Sequence, residues 1–213
     1  MRTAFVLSPV FLFLPLFLPH RTLTGAKNVV TQRTNNPKSF TTVTRHFREQ
    51  LVDHFNPTDT RLWNHTYFVH TPTNSSKTYD WAVVVLGAES QTVDTYFLWK
   101  QLVSDYRPVV PVGFTITHRY YQPQRQSNPT SPFNYKNDSR LFSSRQALAD
   151  FAYFIQKVVI EQFGYKRPPI LLGCSYSGSL TIWMRLKYPQ LSTGAIALSG
   201  PVKALDDYHQ SGM

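Results

Sequence analysis

Between residues 170 and 188 the sequence runs from a short apolar strand straight into an apolar helix, with almost nothing to connect them. Ile170 to Leu172 is the strand, Gly173-Cys174-Ser175-Tyr176-Ser177-Gly178 the turn, and Gly178 to Tyr188 the helix. A connection this short drives its central residue into a strained backbone conformation and lifts that side chain above the end of the sheet. Small residues two before and two after it allow strand and helix to approach. Gly173, Ser177 and Gly178 meet that need, and Ser177 stands where the usual G-x-S-x-G turn has glycine. Ser175 is therefore a candidate nucleophile at a helix N-terminus, where developing negative charge is stabilised. The backbone N–H of Tyr176 is the matching candidate oxyanion donor. An ordinary strand-to-helix turn with a serine cap would read the same over six residues, so the context must decide.

That context is alternating. Trp63 to His70, Trp81 to Leu86, Val109 to Ile116 and Ala195 to Ser199 read as strands, and Tyr96 to Tyr106 as a helix. Ser143 with Gln146 forms a possible capping box ahead of Leu148, Phe151, Ala152, Ile155, Val158, Val159 and Phe163. Gly164 ends that helix, Gln122 to Asp138 reads as a long loop, and Lys27 to Thr44 as a loose leader without periodicity. Strands and helices in alternation predict an α/β fold with a parallel sheet covered on both faces.

Composition narrows the function. Hydrophobic residues at 42% and charged residues at 16% describe a chain with a core, not a disordered one. A single cysteine, Cys174, excludes an internal disulfide framework and a cysteine zinc cluster. The balance of 22 basic against 12 acidic residues gives +10, but the longest basic cluster is Lys166-Arg167, so no nucleic-acid face is expected. Residues 1–26 carry a basic start, an apolar run from Ala4 to Leu18 and small Gly25-Ala26, the pattern of a cleaved signal peptide. An uncleaved anchor is the competing reading, disfavoured by a run short of the ~20 residues a span needs and broken by Pro9 and Pro15. Sequons at Asn64, Asn74 and Asn137 predict glycosylation in the secretory pathway, hence a secreted or lysosomal protein with no membrane attachment after cleavage.

Five ordered segments resemble one family. Phe47 to Phe55 (FREQLVDHF) followed by Asn56-Pro57 is similar to the N-terminal segment of the lysosomal Pro-X carboxypeptidase family, which includes prolyl carboxypeptidase, dipeptidyl peptidase II and thymus-specific serine protease. His118-Arg119-Tyr120-Tyr121 resembles its H-R-[FY]-Y-G, and Leu141 to Asp150 (LFSSRQALAD) its L-S-S-x-Q-A-L-A-D helix start. GCSYSGSLTIWMRLKYPQL resembles the turn and helix G-G-S-Y-[GAS]-G-x-L-x-x-W-x-R-x-K-[YF]-P, and Ser199-Gly200-Pro201-Val202 the S-[AG]-P-V after the next strand. The resemblance implies an α/β-hydrolase fold, a Ser-Asp-His triad with Ser175 as nucleophile, a peptide substrate cleaved next to proline, and no metal or organic cofactor.

The departures are specific. Gly87-Ala88-Glu89-Ser90 stands where the family has Gly-Gly-Glu-Gly, so Gly87 and Ala88 are the expected second oxyanion loop with added side chains. Thr117 replaces the usual Glu, and Cys174 a Gly as a buried apolar filler. His118 reads as a structural hydrogen-bonding residue. After Ser175 the only acids are Asp206 and Asp207 and the only histidine is His209, too close together to reach Ser175 as a triad. Residues 45–213 are thus expected to be the N-terminal part of the hydrolase sheet, truncated before the cap and last strands, with triad Asp and His missing and the chain alone inactive. A catalytically inactive secreted glycoprotein that binds peptides or partners is the alternative, and an esterase on the same fold is disfavoured by the peptidase-like segments.

Overall fold

The computed structural model describes residues 40–73, 79–88, 111–119, 121 and 139–203. The expected helix Tyr96 to Tyr106, the loop Gln122 to Asp138, the signal segment, Asn74, Asn137 and Asp206 to His209 lie outside these residues. Six strands form one sheet: β1 (Phe40–Leu51), β2 (Leu62–Pro72), β3 (Val83–Leu86), β4 (Gly113–Ile116), β5 (Ile170–Cys174) and β6 (Gly194–Leu198). Their spatial order is β1-β2-β4-β3-β5-β6.

The sheet is mixed, which corrects the expectation of a parallel one. β4, β3, β5 and β6 are parallel, whereas β2 runs antiparallel to both β1 and β4. The first two strands are joined by a short connection, which only an antiparallel pair permits, while parallel neighbours need long crossovers. β1 also starts at Phe40, inside the stretch expected to be a leader, and it pairs with β2 from Phe40↔Pro72 onward. Its Thr- and Val-rich start has strand propensity, but only a partner strand makes that count.

The central strands explain their own sequence. All four residues of β3 (VVVL) are buried, because both faces are covered. Val84 and Leu86 join Phe114, Ile116, Tyr67 and Val69 in the main core, while Val83, Val85 and Leu172 form a second cluster with Trp81 and Ile196. The main core is closed by α1 (Ser144–Phe154) and α2 (Tyr176–Lys187), through Phe151, Phe154, Leu180 and Met184.

Ser143 caps α1 by accepting the Gln146 N–H at 3.2 Å. The capping box is only half made. Gln146 turns its amide away from the cap, donating to Asp53 Oδ1 at 2.5 Å and accepting from His54 N–H at 3.1 Å. From Ile155 to Gln162 the helix widens to π geometry, with Phe163 N–H bonding Val158 O at 2.9 Å, and it ends at Gly164 with φ +74°. Among the described residues no helix is long and apolar enough to cross a membrane.

Candidate active site

β5 ends at Cys174 and α2 begins at Tyr176, leaving Ser175 alone in the turn. Its backbone lies at φ 58°, ψ −129°, a region that side-chain-bearing residues rarely occupy and that costs about 1–3 kcal/mol. Three contacts hold it there. Ser175 N–H donates to Leu198 O at 2.9 Å, at the end of the neighbouring strand β6, and Ser179 N–H donates to Ser175 O at 3.2 Å. The Ser177 hydroxyl accepts from Cys174 N–H at 2.8 Å and donates to Cys174 O at 2.9 Å. Ser177 is therefore more than a small residue, because its hydroxyl closes the turn.

The glycines act by close approach. A Cβ on Gly173 would lie 2.2 Å from Ser177 O, and one on Gly178 would lie 2.7 Å from Leu198 O. The strand and the helix it feeds can meet at this distance only without those side chains. The outcome is an exposed Ser175 between half-buried Cys174 and Tyr176, at the N-terminus of a 12-residue helix whose first N–H groups point back toward it. Cys174 is a free thiol and half-buried, so its expected role as a buried filler holds only in part.

Gly87 and Ala88 follow β3, which pairs in parallel with β5 through Val85↔Leu172. The parallel register brings the loop after β3 and the turn after β5 out at the same edge of the sheet. A Cβ on Gly87 would lie 2.6 Å from His118 N and Ile116 O, so this loop is also wedged against the end of β4. Glu89 and Ser90 lie outside the described residues.

His118 is 3% exposed and packs against the rings of Tyr121 and Tyr176 at 5.3 and 5.7 Å between centroids. Burial pushes its imidazole down to about 4, so it is neutral near pH 7. With Phe142, Ser143 and Ser144 these three residues line a cleft of about 230 Å³ beside the turn.

Beneath this edge lies a polar framework that sequence reasoning did not anticipate. Arg119 is fully buried and grips Asp150 through Nε–Oδ2 at 2.6 Å and Nη2–Oδ1 at 2.8 Å. Its third nitrogen donates to Val52 O at 3.1 Å and Leu141 O at 3.2 Å. His54 Nε2 adds a contact to Asp150 Oδ1 at 2.8 Å. Gln50 donates to Asp150 O at 3.0 Å and to His65 Nδ1 at 2.9 Å, which leaves His65 Nε2–H to donate to Thr117 O at 2.5 Å. Burial opposes ionisation of Asp150, yet the Arg119 charge and the Arg119 and His54 hydrogen bonds hold its carboxyl down at about 2. His54 and His65 are thus committed to the framework. The signal was in the sequence for most of them: Gln50, His54, Arg119 and Asp150 lie in FREQLVDHF, HRYY and LFSSRQALAD, the segments that carried the resemblance, whereas His65 and Thr117 lie outside these segments. What was missing was that three motifs form one cluster.

Residues 50–213 match the family described as serine carboxypeptidase S28. The chain is 32% identical over 168 residues to lysosomal Pro-X carboxypeptidase of Mus musculus, covering 74% of this chain and 32% of that protein. To the Homo sapiens protein of the same name it is 29% identical over 183 residues, covering 81% of this chain and 35% of that protein. It spans about a third of the length of these relatives. Among solved structures it is similar to the peroxisomal alpha-beta-hydrolase Lpx1 of Saccharomyces cerevisiae, with a TM-score of 0.55 at 14% identity over 80% of this chain and 47% of that one. The fold is that of the α/β-hydrolases, and by the match of residues 50–213 the chain belongs to the serine carboxypeptidase S28 family.

Proposed function

We propose that the chain carries the nucleophilic half of a secretory-pathway or lysosomal serine exopeptidase that cleaves peptides next to proline. The single observation that supports it most is the conformation of Ser175: a serine at φ 58°, exposed, at a helix N-terminus and braced from β6. Strain of this kind persists only where the surrounding structure over-determines it, and it gathers at functional sites. A serine that merely capped a helix would sit in extended backbone, as Ser143 does at φ −143°.

In this reading Ser175 Oγ attacks the scissile carbonyl, and the N–H of Tyr176 donates to the resulting oxyanion. The loop at Gly87 and Ala88 supplies the second donor. The general base that takes the serine proton and the acid that orients it come from outside the residues described, as expected where later strands carry Asp and His. Ser175 without that base is a weak nucleophile. Peptide cleavage next to proline is brought here from the Pro-X carboxypeptidase relatives, as is the lysosomal location.

The test is labelling with a fluorophosphonate probe, followed by mass mapping of the labelled peptide. It is applied to the chain and to the longest product of its gene, purified from a eukaryotic host. Label on Ser175 in the longer product, lost in Ser175→Ala, is the expected result. Label on Ser177 or Ser179, or label that survives Ser175→Ala, would refute the assignment.

A further inference from the structure

Of the three sequons, Asn64-His65-Thr66 is the one that lies within the described residues, and it sits in the middle of β2, not in a loop. By strand alternation Asn64 and Thr66 share one face of β2, yet their exposure differs. Asn64 is exposed and opposes the irregularity in β1 between Phe47 and Gln50. Thr66, whose hydroxyl completes the acceptor motif, is only 2% exposed. That hydroxyl bonds His46 Nδ1 at 3.2 Å. The Thr66 carbonyl accepts twice from Thr117, from its N–H at 3.2 Å and its hydroxyl at 2.8 Å. A transferase that must read both residues cannot reach Thr66 in the folded chain.

We propose that Asn64 is an N-glycosylation site that is filled only while β2 is open, before Thr117 docks on Thr66. The proposal rests on entry of the chain into the secretory lumen. Chain order makes the window. Thr117 lies 51 residues after Thr66, so at ordinary synthesis rates it emerges about 3–10 s later. The β1–β2 hairpin forms sooner, but a two-stranded hairpin alone is marginal in water and opens readily. Only when β4 adds its pairs Tyr67↔Ile116 to His70↔Gly113 does β2 become an interior strand.

The reaction is a group transfer. Asn64 Nδ2 bonds to the anomeric carbon of an oligosaccharide carried on a lipid pyrophosphate, and the carbon–oxygen bond to that pyrophosphate breaks. The amide gives up one proton to a base of the transferase, and the lipid pyrophosphate leaves. In the folded chain the glycan then stands beside Leu62, which shares its face of β2 and is 51% exposed. It shields an apolar side chain that the described residues leave half exposed.

Two measurements decide the matter, both read as occupancy of the Asn64 peptide by mass spectrometry. In chain secreted from eukaryotic cells, Asn64 should be occupied, and Asn64→Gln and Thr66→Val should each remove one glycan. Because occupancy is set before folding, these variants report even if they fold poorly. Next, unglycosylated chain from donor-starved cells is offered to purified oligosaccharyltransferase with its lipid-linked donor, native or denatured. Denatured chain should reach at least tenfold higher Asn64 occupancy than native chain. Equal occupancy in the two states, or none in either, overturns the proposal. Glycans at Asn74 or Asn137 with Asn64 bare overturn it while leaving the luminal location standing, and no glycan anywhere in cells overturns both.

Discussion

Arg119 and Asp150, 31 residues apart in the sequence, meet in a two-point ion pair at 2.6 and 2.8 Å with both side chains fully buried. Neither is placed to touch a substrate at Ser175. Their pair pins the end of β4 to the middle of α1, and through Gln50 and His54 it ties in the end of β1. Because Arg119 adjoins His118 and Asp150 adjoins Phe151, which pack together with ring centroids 6.4 Å apart, this framework carries the edge of the sheet on which the candidate site is built.

Removing one partner of a buried, hydrogen-bonded ion pair leaves an uncompensated charge. Arg119→Met should therefore lower unfolding stability by about 3–5 kcal/mol. Arg119→Lys should recover little, since an ammonium cannot form the two-point contact while also serving Val52 O and Leu141 O. Urea unfolding midpoints measure both. A loss under 1 kcal/mol for Arg119→Met would show that the pair is not holding these elements.

Strain at Ser175 predicts an inversion of the usual residue preference. Glycine occupies positive φ without penalty, whereas alanine carries the same Cβ as serine. Ser175→Gly should be more stable than Ser175→Ala by about 1–2 kcal/mol, although both abolish the hydroxyl. Thermal unfolding of the two variants side by side is sufficient. Equal stability, or Ala above Gly, would mean that the turn is relaxed.

The Ser177 hydroxyl makes two bonds to the Cys174 backbone, so Ser177→Ala should cost about 1–2 kcal/mol. Ser177→Gly should cost at least as much, because it also loosens the first turn of α2. A variant indistinguishable from the parent in unfolding would reduce the role of Ser177 to its size.

Acid should weaken the fold well above the carboxylate range. Burial holds His65, His70 and His118 down at about 4, against 6.5 for an ordinary imidazole. The unfolded chain binds protons at these sites first, so stability is fully present above pH 6.5 and is lost as the pH falls to about 4. Each histidine contributes a loss on the order of 3 kcal/mol. Asp150 acts only below that window: its stabilisation is present above 3.8 and fades as the pH falls toward about 2. Denaturant midpoints between pH 7.5 and 4 should slope downward, and His70→Gln should flatten the slope by one histidine's share. A flat profile from 7 to 4 would show that these imidazoles charge freely in the fold.

The turn at Ser175 was legible because its requirements are local. Small residues, an apolar strand and an apolar helix in direct succession leave one geometry, and the backbone angles of Ser175 agree. The helix cap at Ser143 was legible for the same reason. Its capping-box partner was not, since Gln146 found Asp53 and His54 on a distant segment. The start of β1 at Phe40 was hidden too, because Thr-rich strands look like leaders until a partner strand satisfies their backbone.

By itself the sequence determined the elements whose cause lies within a few residues: the apolar central strands, the tight strand-to-helix turn at Ser175, and the family signature spread from Phe47 to Val202. Only the tertiary structure decided which way β2 runs, that Thr66 is sealed by Thr117, and that Gln50, His54, Arg119 and Asp150 form one buried cluster. The physical reason is that a buried charge or an unpaired backbone group has no local remedy. It must find its partner wherever the fold brings one, and a linear pattern does not record that distance.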